Sequence, residues 1–182
     1  DKDSEFFKDW GNESVKLSIV IPFYNEENMI QKMYDELVKE INQITKAEFE
    51  IIFINDGSKD RTFERMLAIA AGDSRVKYIS FSRNFGKEAG TIAGLEYATG
   101  EAVILMDGDL QHPPAMLPQM IEAYEQGYDV VSARRTRTGE KPHRTFLAKH
   151  FYKLANKMMD IELMDGVSEF RLFSRKVVNA II

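Results

Sequence analysis

Ala102-Val103-Ile104-Leu105-Met106-Asp107-Gly108-Asp109-Leu110-Gln111-His112-Pro113-Pro114 joins a short apolar run to two carboxylates and an amide, then ends on paired prolines. A brief continuous apolar run closed by turn chemistry reads as a strand covered on both faces. The acids that follow then sit at the strand's carboxyl end, where open α/β sheets bind their ligands. Asp-x-Asp at that place can hold a hard divalent cation against a diphosphate, and Gln111 adds a neutral oxygen of the kind Mg²⁺ or Mn²⁺ accepts. Gly108 permits a tight turn or a close ligand approach. The competing reading is turn chemistry, with an Asp capping the helix that starts near Ala115.

Strand-then-helix units repeat outward from this stretch. Residues 17–21 form a β-rich run ended by Pro22, and 26–45 carry helical spacing through Ile30, Met33, Leu37, Val38 and Ile41. Residues 49–54, 76–81 and 102–106 predict further strands, each followed by a helix, over 61–71, 87–98 and 115–126. Residues 128–133 predict a fifth strand. The alternation predicts an α/β fold, a mostly parallel central sheet flanked by helices. With 182 residues the chain has room for one sizeable core, a single domain over 17–182 behind a polar leader at 1–16.

Polar clusters follow the first four strands: Tyr24-Asn25-Glu26-Glu27, Asn55-Asp56-Gly57-Ser58, Ser82-Arg83-Asn84-Phe85-Gly86-Lys87 and Asp107 to Gln111. Tyr24 could stack on a base, while Asn25 could serve only as a helix N-cap. Asp56 could accept hydrogen bonds from a nucleobase edge or belong to a turn and cap. Two cations and a glycine at 82–87 suit a diphosphate at a helix start, or a solvated loop. The three histidines lack metal-ligand spacing; His112 stands apart only by adjoining the acidic stretch.

A formal charge of −5 gives no whole-chain attraction to nucleic acid or to an anionic membrane. The absence of cysteine excludes disulfides and thiolate metal sites. No run reaches the roughly 18 to 20 apolar residues that span a bilayer. Residues 134–157 depart from the acidic average, with eight Lys or Arg against the single acid Glu140. Phe146, Leu147, Phe151, Leu154 and Met158 give this segment an apolar helical stripe, either a solvated amphipathic helix or a surface that lies on anionic lipid. The first residue is not methionine and 174–182 reads as the first half of an amphipathic helix, so a longer protein is expected.

Taken jointly, Ile19-Val20-Ile21-Pro22-Phe23-Tyr24-Asn25-Glu26-Glu27, Phe53-Ile54-Asn55-Asp56-Gly57-Ser58, Ser82 to Glu88 and Met106 to Pro114 resemble, in order and spacing, the family 2 glycosyltransferases of GT-A fold. The closer resemblance is to the branch that moves a sugar onto a polyprenyl phosphate, such as dolichyl-phosphate mannose synthase and bacterial undecaprenyl-phosphate glycosyltransferases. It covers roughly 17–178. The resemblance implies a Rossmann-like nucleotide-diphospho-sugar transferase fold and an inverting, Mg²⁺- or Mn²⁺-dependent transfer from a nucleotide-sugar, a UDP-sugar foremost, to a polyprenyl phosphate for the cell envelope. It places Pro22, Tyr24, Asn25, Glu26, Asp56, Ser58, Asn84, Lys87 and Asp107 around the donor, with Asp56 at the base. Asp107, Asp109 and Gln111 match the metal motif, Asp109 and Gln111 foremost. Arg134 or Arg135, and more loosely Arg144, match an arginine that holds the acceptor phosphate.

Glu169, in Val167-Ser168-Glu169-Phe170-Arg171-Leu172, stands where the family usually has Asp, one methylene longer. The catalytic set implied is Asp109, Glu169 and Arg135. A lipid monophosphate, with a second pKa near ~6 by analogy with phosphorylated side chains, is mostly ionised at pH 7 and hardly needs a general base, so Glu169 would orient. A saccharide hydroxyl acceptor, the alternative, would need Glu169 or Asp165 as base. The branch commonly continues into C-terminal transmembrane helices, which places the whole protein on the cytoplasmic face of the membrane, contacting it through 134–157 and those helices. No nucleic acid partner is expected, and a homo-oligomer stays open. A nucleotidyltransferase and a non-catalytic nucleotide-sugar sensor are the rivals from other classes.

Overall fold

The computed structural model describes residues 14–134 and 167–182. The elements run β1 (Val15–Phe23), α1 (Ile30–Ile41), β2 (Ala47–Asn55), α2 (Thr62–Gly72), β3 (Val76–Ser80), α3 (Lys87–Tyr97), β4 (Ala102–Leu105), a 3₁₀ turn (Pro114–Met116) leading into α4 (Leu117–Glu125), β5 (Val130–Arg134), β6 (Val167–Ser174) and α5 (Arg175–Ile181). The sheet order is β3-β2-β1-β4-β6-β5. Strands β1 to β4 are mutually parallel, whereas β6 pairs antiparallel with both β4 and β5.

Strand β6 is the main departure from the sequence reading, which took 166–172 only as a motif. Its residues alternate: Phe170 and Leu172 are fully buried among the side chains beneath α1 and α4, while Phe173 packs on the opposite face. That period of two marks a strand, and its antiparallel course inserts it between β4 and β5.

Helices α1, α2 and α4 bury Met33, Leu37, Met66, Leu117 and Met120 on one face of the sheet. On the other face, Leu95 of α3 and Val178 of α5 pack against Val20, Ile52, Ile54 and Val103. Helix α3 lies so close that a Cβ at Gly94 would fall 2.2 Å from Val20 Cγ1. Strand β1 runs through Pro22, where the sequence reading stopped it. Val20 C=O accepts from Met106 N–H, so the Pro22 backbone faces the same side just past the end of β4, where no ladder bond is lost.

Glu50 is buried near the amino end of the sheet. Its Oε1 accepts from Ser18 Oγ (2.5 Å), Thr99 N–H (2.6 Å) and Thr99 Oγ1 (2.9 Å), and its Oε2 from Lys77 Nζ (2.8 Å). Burial pushes its pKa up, but these donors outweigh it and hold the carboxyl at about 2.

Candidate active site

Four loops leave the carboxyl ends of β1 to β4, and each carries one residue in the left-handed region: Asn25 (φ 53°), Gly57 (φ 64°), Gly86 (φ 96°) and Leu110 (φ 58°). These sharp turns fold the loops over the sheet edge. The first two interlock. Asn25 N–H donates to Ser58 Oγ (3.0 Å), and Lys59 N–H donates to Asn25 Oδ1 (2.8 Å). Glu26 N–H donates to Thr62 Oγ1 (2.8 Å), Glu27 N–H to Asp60 Oδ2 (3.2 Å) and Arg61 N–H to Glu27 Oε2 (3.0 Å). Asn25 is therefore no helix cap. Glu26 C=O closes a turn onto Met29 and Ile30, and α1 starts at Ile30.

Between these loops lies a cavity of about 230 Å³ that brings together Pro22, Tyr24, Glu26, Asp56, Lys87, Asp107 and Asp109, seven of the residues singled out from sequence. Tyr24 also walls a neighbouring cavity of about 540 Å³, which takes in Ser58 and Asn84. Asn25 lines neither, being spent on the loop-to-loop bonds. Gln111, predicted as an oxygen donor beside the two aspartates, is exposed and does not line the 230 Å³ cavity. The left-handed turn at Leu110 folds its backbone back, and Gln111 N–H donates to Asp109 Oδ1 at 3.0 Å.

Asp56, placed by sequence at a nucleobase edge, has both carboxylate oxygens engaged within the protein. Oδ1 accepts from Phe85 N–H (2.7 Å) and Oδ2 from Gly86 N–H (3.0 Å), and the residue is only 3% exposed. Lys87 Nζ pairs with Asp107 Oδ1. The backbones of Arg134 and Glu169 lie in β5 and β6, their side chains outside the described structure; Arg135, Arg144 and the stretch 135–157 lie outside the described residues altogether.

Carboxylates dominate the cavity. Burial raises the Glu26 pKa, and the charges of Asp109 and Asp60 raise it further. The donors on offer are hard oxygens in a crowded negative field, which fits Mg²⁺ or Mn²⁺ and does not fit a soft metal. Among the described residues no three His, Asp or Glu converge on one point, so an ion there would share its coordination with water or a ligand.

Sequence reasoning missed Thr62 and Asp60 as the bolts between the first two loops. Thr62 Oγ1 donates to Asp60 Oδ1 (2.6 Å) while accepting from Glu26. It also missed Arg171, which with Lys87 and Asp107 lines a third cavity of about 340 Å³ between α3, β4, β6 and α5. The available signal for Arg171 was its place in the Glu169-Phe170-Arg171-Leu172 motif, read there only for its acid.

Residues 18–182 match the family described as Glycosyl transferase family 2. The chain belongs to that family. CsbB of Bacillus subtilis (strain 168) is 51% identical over 166 residues, 91% of this chain and 50% of that protein. The prophage bactoprenol glucosyl transferase homolog of Escherichia coli (strain K12) is 44% identical over 168 residues, 92% and 55% of the two chains. The bactoprenol glucosyl transferase of Shigella phage SfX matches at the same identity and coverage. The chain thus spans about half the length of the curated relatives it matches.

Among solved structures, the Pyrobaculum calidifontis mannosyltransferase PcManGT, in complex with GDP-Man and Mn²⁺, superposes with a TM-score of 0.62 at 18% identity, over 99% of this chain and 52% of that one. Mycobacterium tuberculosis glucosyl-3-phosphoglycerate synthase, in complex with Mn²⁺, UDP-glucose and phosphoglyceric acid, gives 0.61 at 21%, over 90% and 57%. At these identities the likeness bears on the fold alone, and the fold is GT-A. Strand β6 sets Arg171, two residues after Glu169, opposite Leu105 at the carboxyl end of β4.

Proposed function

We propose that this family 2 domain transfers a sugar from a nucleotide-sugar, foremost a UDP-sugar, to a polyprenyl phosphate. The observation that carries the reading is the single cavity in which Tyr24, Glu26, Lys87, Asp107 and Asp109 meet. Its support on the acceptor side is the 44% identity to proteins named bactoprenol glucosyl transferases. In this reading Tyr24, with Ser58 and Asn84 in the adjoining cavity, binds the nucleoside. Lys87 and the start of α3 face the diphosphate, where a cation and free helix amides both favour negative charge. Asp107 and Asp109 would hold Mg²⁺ or Mn²⁺, which when bound supplies charge neutralisation for the departing nucleoside diphosphate.

A phosphate oxygen of the acceptor attacks the anomeric carbon, the bond from that carbon to the diphosphate oxygen breaks, and the diphosphate leaves with the electron pair, inverting the centre. An acceptor phosphate is already ionised at neutral pH, given a second pKa near ~6, so proton removal is not demanded of the protein. Glu169 is assigned an orienting role, and Arg134, Arg135 and Arg144 the acceptor phosphate. The basic segment 134–157 is assigned to an anionic membrane surface on the cytoplasmic side. No helix among the described residues is long and apolar enough to cross a membrane.

The test is nucleotide release from a panel of UDP- and GDP-sugars with Mg²⁺ or Mn²⁺, with and without undecaprenyl phosphate, beside Asp109→Ala. Release that requires the lipid phosphate and disappears in the variant is the expected result. Release that ignores both lipid and metal would overturn the reading, and release driven by a saccharide would reassign the acceptor.

A further inference from the structure

We infer that Arg83, held over the Phe85 ring, binds the nucleoside of the donor, and that of the two cations near the start of α3 only Lys87 serves the diphosphate. The inference rests on the donor reading above and divides two cations that the sequence groups at one helix start.

The structure sends the two side chains to different cavities. Lys87 lines the cavity of about 230 Å³ with Asp107 and Asp109, while Arg83 lines the neighbouring one of about 540 Å³ with Ser58, Ser82 and Asn84. Tyr24 walls both. Gly86, with φ 96°, turns the chain between them into α3. In the sheet order β3-β2-β1-β4, Lys87 meets the loop after β4, whereas the larger cavity is built on the loops after β2 and β3. A nucleoside diphosphate whose phosphates lie at Asp107 and Asp109 therefore extends past Tyr24 toward Arg83 with its nucleoside end.

The Arg83 backbone is seated against the turn after β2: a Cβ at Gly57 would lie 2.2 Å from the Arg83 carbonyl carbon. Its Cζ stands 4.6 Å from the centroid of the Phe85 ring, and Phe85 meets Phe81 edge to face at 5.6 Å. Phe81 is tied to the sheet, packing against the core beneath α3 and donating its N–H to Asn55 C=O at 2.9 Å. Phe85 itself is 52% exposed, an apolar ring at the surface with a guanidinium on its face. Stacking restricts a long side chain before any ligand arrives, which lowers the entropic cost of binding. The guanidinium then offers donors to base carbonyl and ribose oxygens, and a flat face to the base.

The experiment uses three probes on the intact protein with Mg²⁺ present throughout: UDP, uridine and inorganic pyrophosphate, their affinities read by calorimetry or by ligand-observed NMR. Arg83 is exposed and Phe85 half-exposed, so variants at both should fold. Arg83→Met, which keeps the stem and removes the charge and donors, should weaken UDP and uridine by the same factor, at least about tenfold, the scale of one hydrogen bond from a charged group. Pyrophosphate should bind as before. Lys87→Met should do the reverse, weakening UDP and pyrophosphate and leaving uridine unchanged. Arg83→Lys keeps the charge without the planar fork and should recover little of the loss. Phe85→Leu should weaken UDP and uridine about threefold, the scale of an exposed cation–π contact, and Phe85→Tyr should restore them. The Arg83→Met/Phe85→Leu pair should be no worse than Arg83→Met alone, since both act through one guanidinium.

Loss of pyrophosphate affinity in Arg83→Met, or full recovery in Arg83→Lys, would assign Arg83 to the phosphates and overturn the inference. Unchanged UDP and uridine affinities in Arg83→Met would show a solvated arginine and overturn it as well. A protein that takes GDP alone is compared with guanosine in place of uridine. Failure of the unchanged protein to bind either nucleotide would overturn the donor reading, and this inference with it.

Discussion

Glu50 lends itself to a worked stability prediction because its environment is nearly dry and its partners are known. The side chain is 4% exposed, and Lys16 Nζ adds a looser contact at 3.6 Å to the bonds from Ser18, Thr99 and Lys77. Its pKa falls from 4.5 to about 2 in the folded protein. At 1.36 kcal/mol per pH unit, that difference is worth roughly 3 kcal/mol. A depressed folded-state pKa means the contribution is fully present above the unfolded value near 4.5 and is lost as pH falls toward 2. Replacing Glu50 by Gln removes the charge with little change in volume and leaves Ser18, Thr99 and Lys77 short of an anionic partner. The expected outcome of urea denaturation at pH 7 is a loss of up to about 3 kcal/mol, set by the buried carboxylate, since the ammonium groups of Lys16 and Lys77 stay about half exposed and can return to water. Between pH 5 and 2 the unchanged protein should lose about that much more stability than the variant. Asp73, held at about 2 chiefly by hydrogen bonds from Arg75, contributes to both acid limbs and cancels in the comparison. Parallel acid limbs in the two proteins would refute the assignment of this stability to Glu50.

Thr62→Val keeps the shape of a fully buried side chain but strips the hydroxyl that joins Glu26 N–H to Asp60. It should cost about 1–3 kcal/mol in chemical denaturation and weaken UDP binding by loosening the Tyr24 loop; unchanged UDP affinity would separate that loop from the donor site. Gly94→Ala places a methyl 2.2 Å from Val20 Cγ1 and should destabilise by about 1–3 kcal/mol. Gly72→Ala, at the end of α2 with nothing within 4 Å, should be neutral or stabilising by up to about 1 kcal/mol, so equal effects at the two glycines would count against the close approach of α3. Asp109→Ala should leave the melting temperature nearly unchanged while lowering transfer by at least about 100-fold, the scale set by losing one stabiliser of charge developing in the transition state. Near-normal turnover would exclude Asp109 from the reacting end of the cavity.

The βα alternation was legible because strands buried on both faces are written as unbroken apolar runs such as Ile19-Val20-Ile21, and their carboxyl ends as polar clusters. The placement of β6 was not. Phe170 and Leu172 announce a strand, but nothing in their order along the chain says that it inserts between β4 and β5. Boundary residues misled in a different way. Asn25 has cap chemistry and uses it, but from a left-handed turn and on the next loop rather than on α1. The seven cavity residues were legible as types, since each lies at or just past a strand end or at the start of α3. Asp56 was legible as a candidate site residue, but its bonds to the next loop were not. Its partners, Phe85 and Gly86, are 29 and 30 residues away, and only the adjacency of β2 and β3 brings them together.

That adjacency also explains how a site assembled from four loops can be held in one arrangement. The loops after β1 and β2 are neighbours and bond directly; the loops after β2 and β3 are neighbours and are joined through Asp56. The loop after β4 is different, because in the order β3-β2-β1-β4 two strands separate it from the loop after β3. The link is made by α3, which packs across β1 and β2 and begins with Lys87, the partner of Asp107. Gly94 lets that helix sit low, since a Cβ there would fall 2.2 Å from Val20 Cγ1. On the proposed donor reading, a diphosphate would compete with Asp107 for the Lys87 ammonium. The hydrogen bonds among the first three loops require no such exchange. On that reading, a bound diphosphate should therefore weaken the tie between the fourth loop and α3 through Asp107 while leaving the hydrogen bonds among the first three loops as they are.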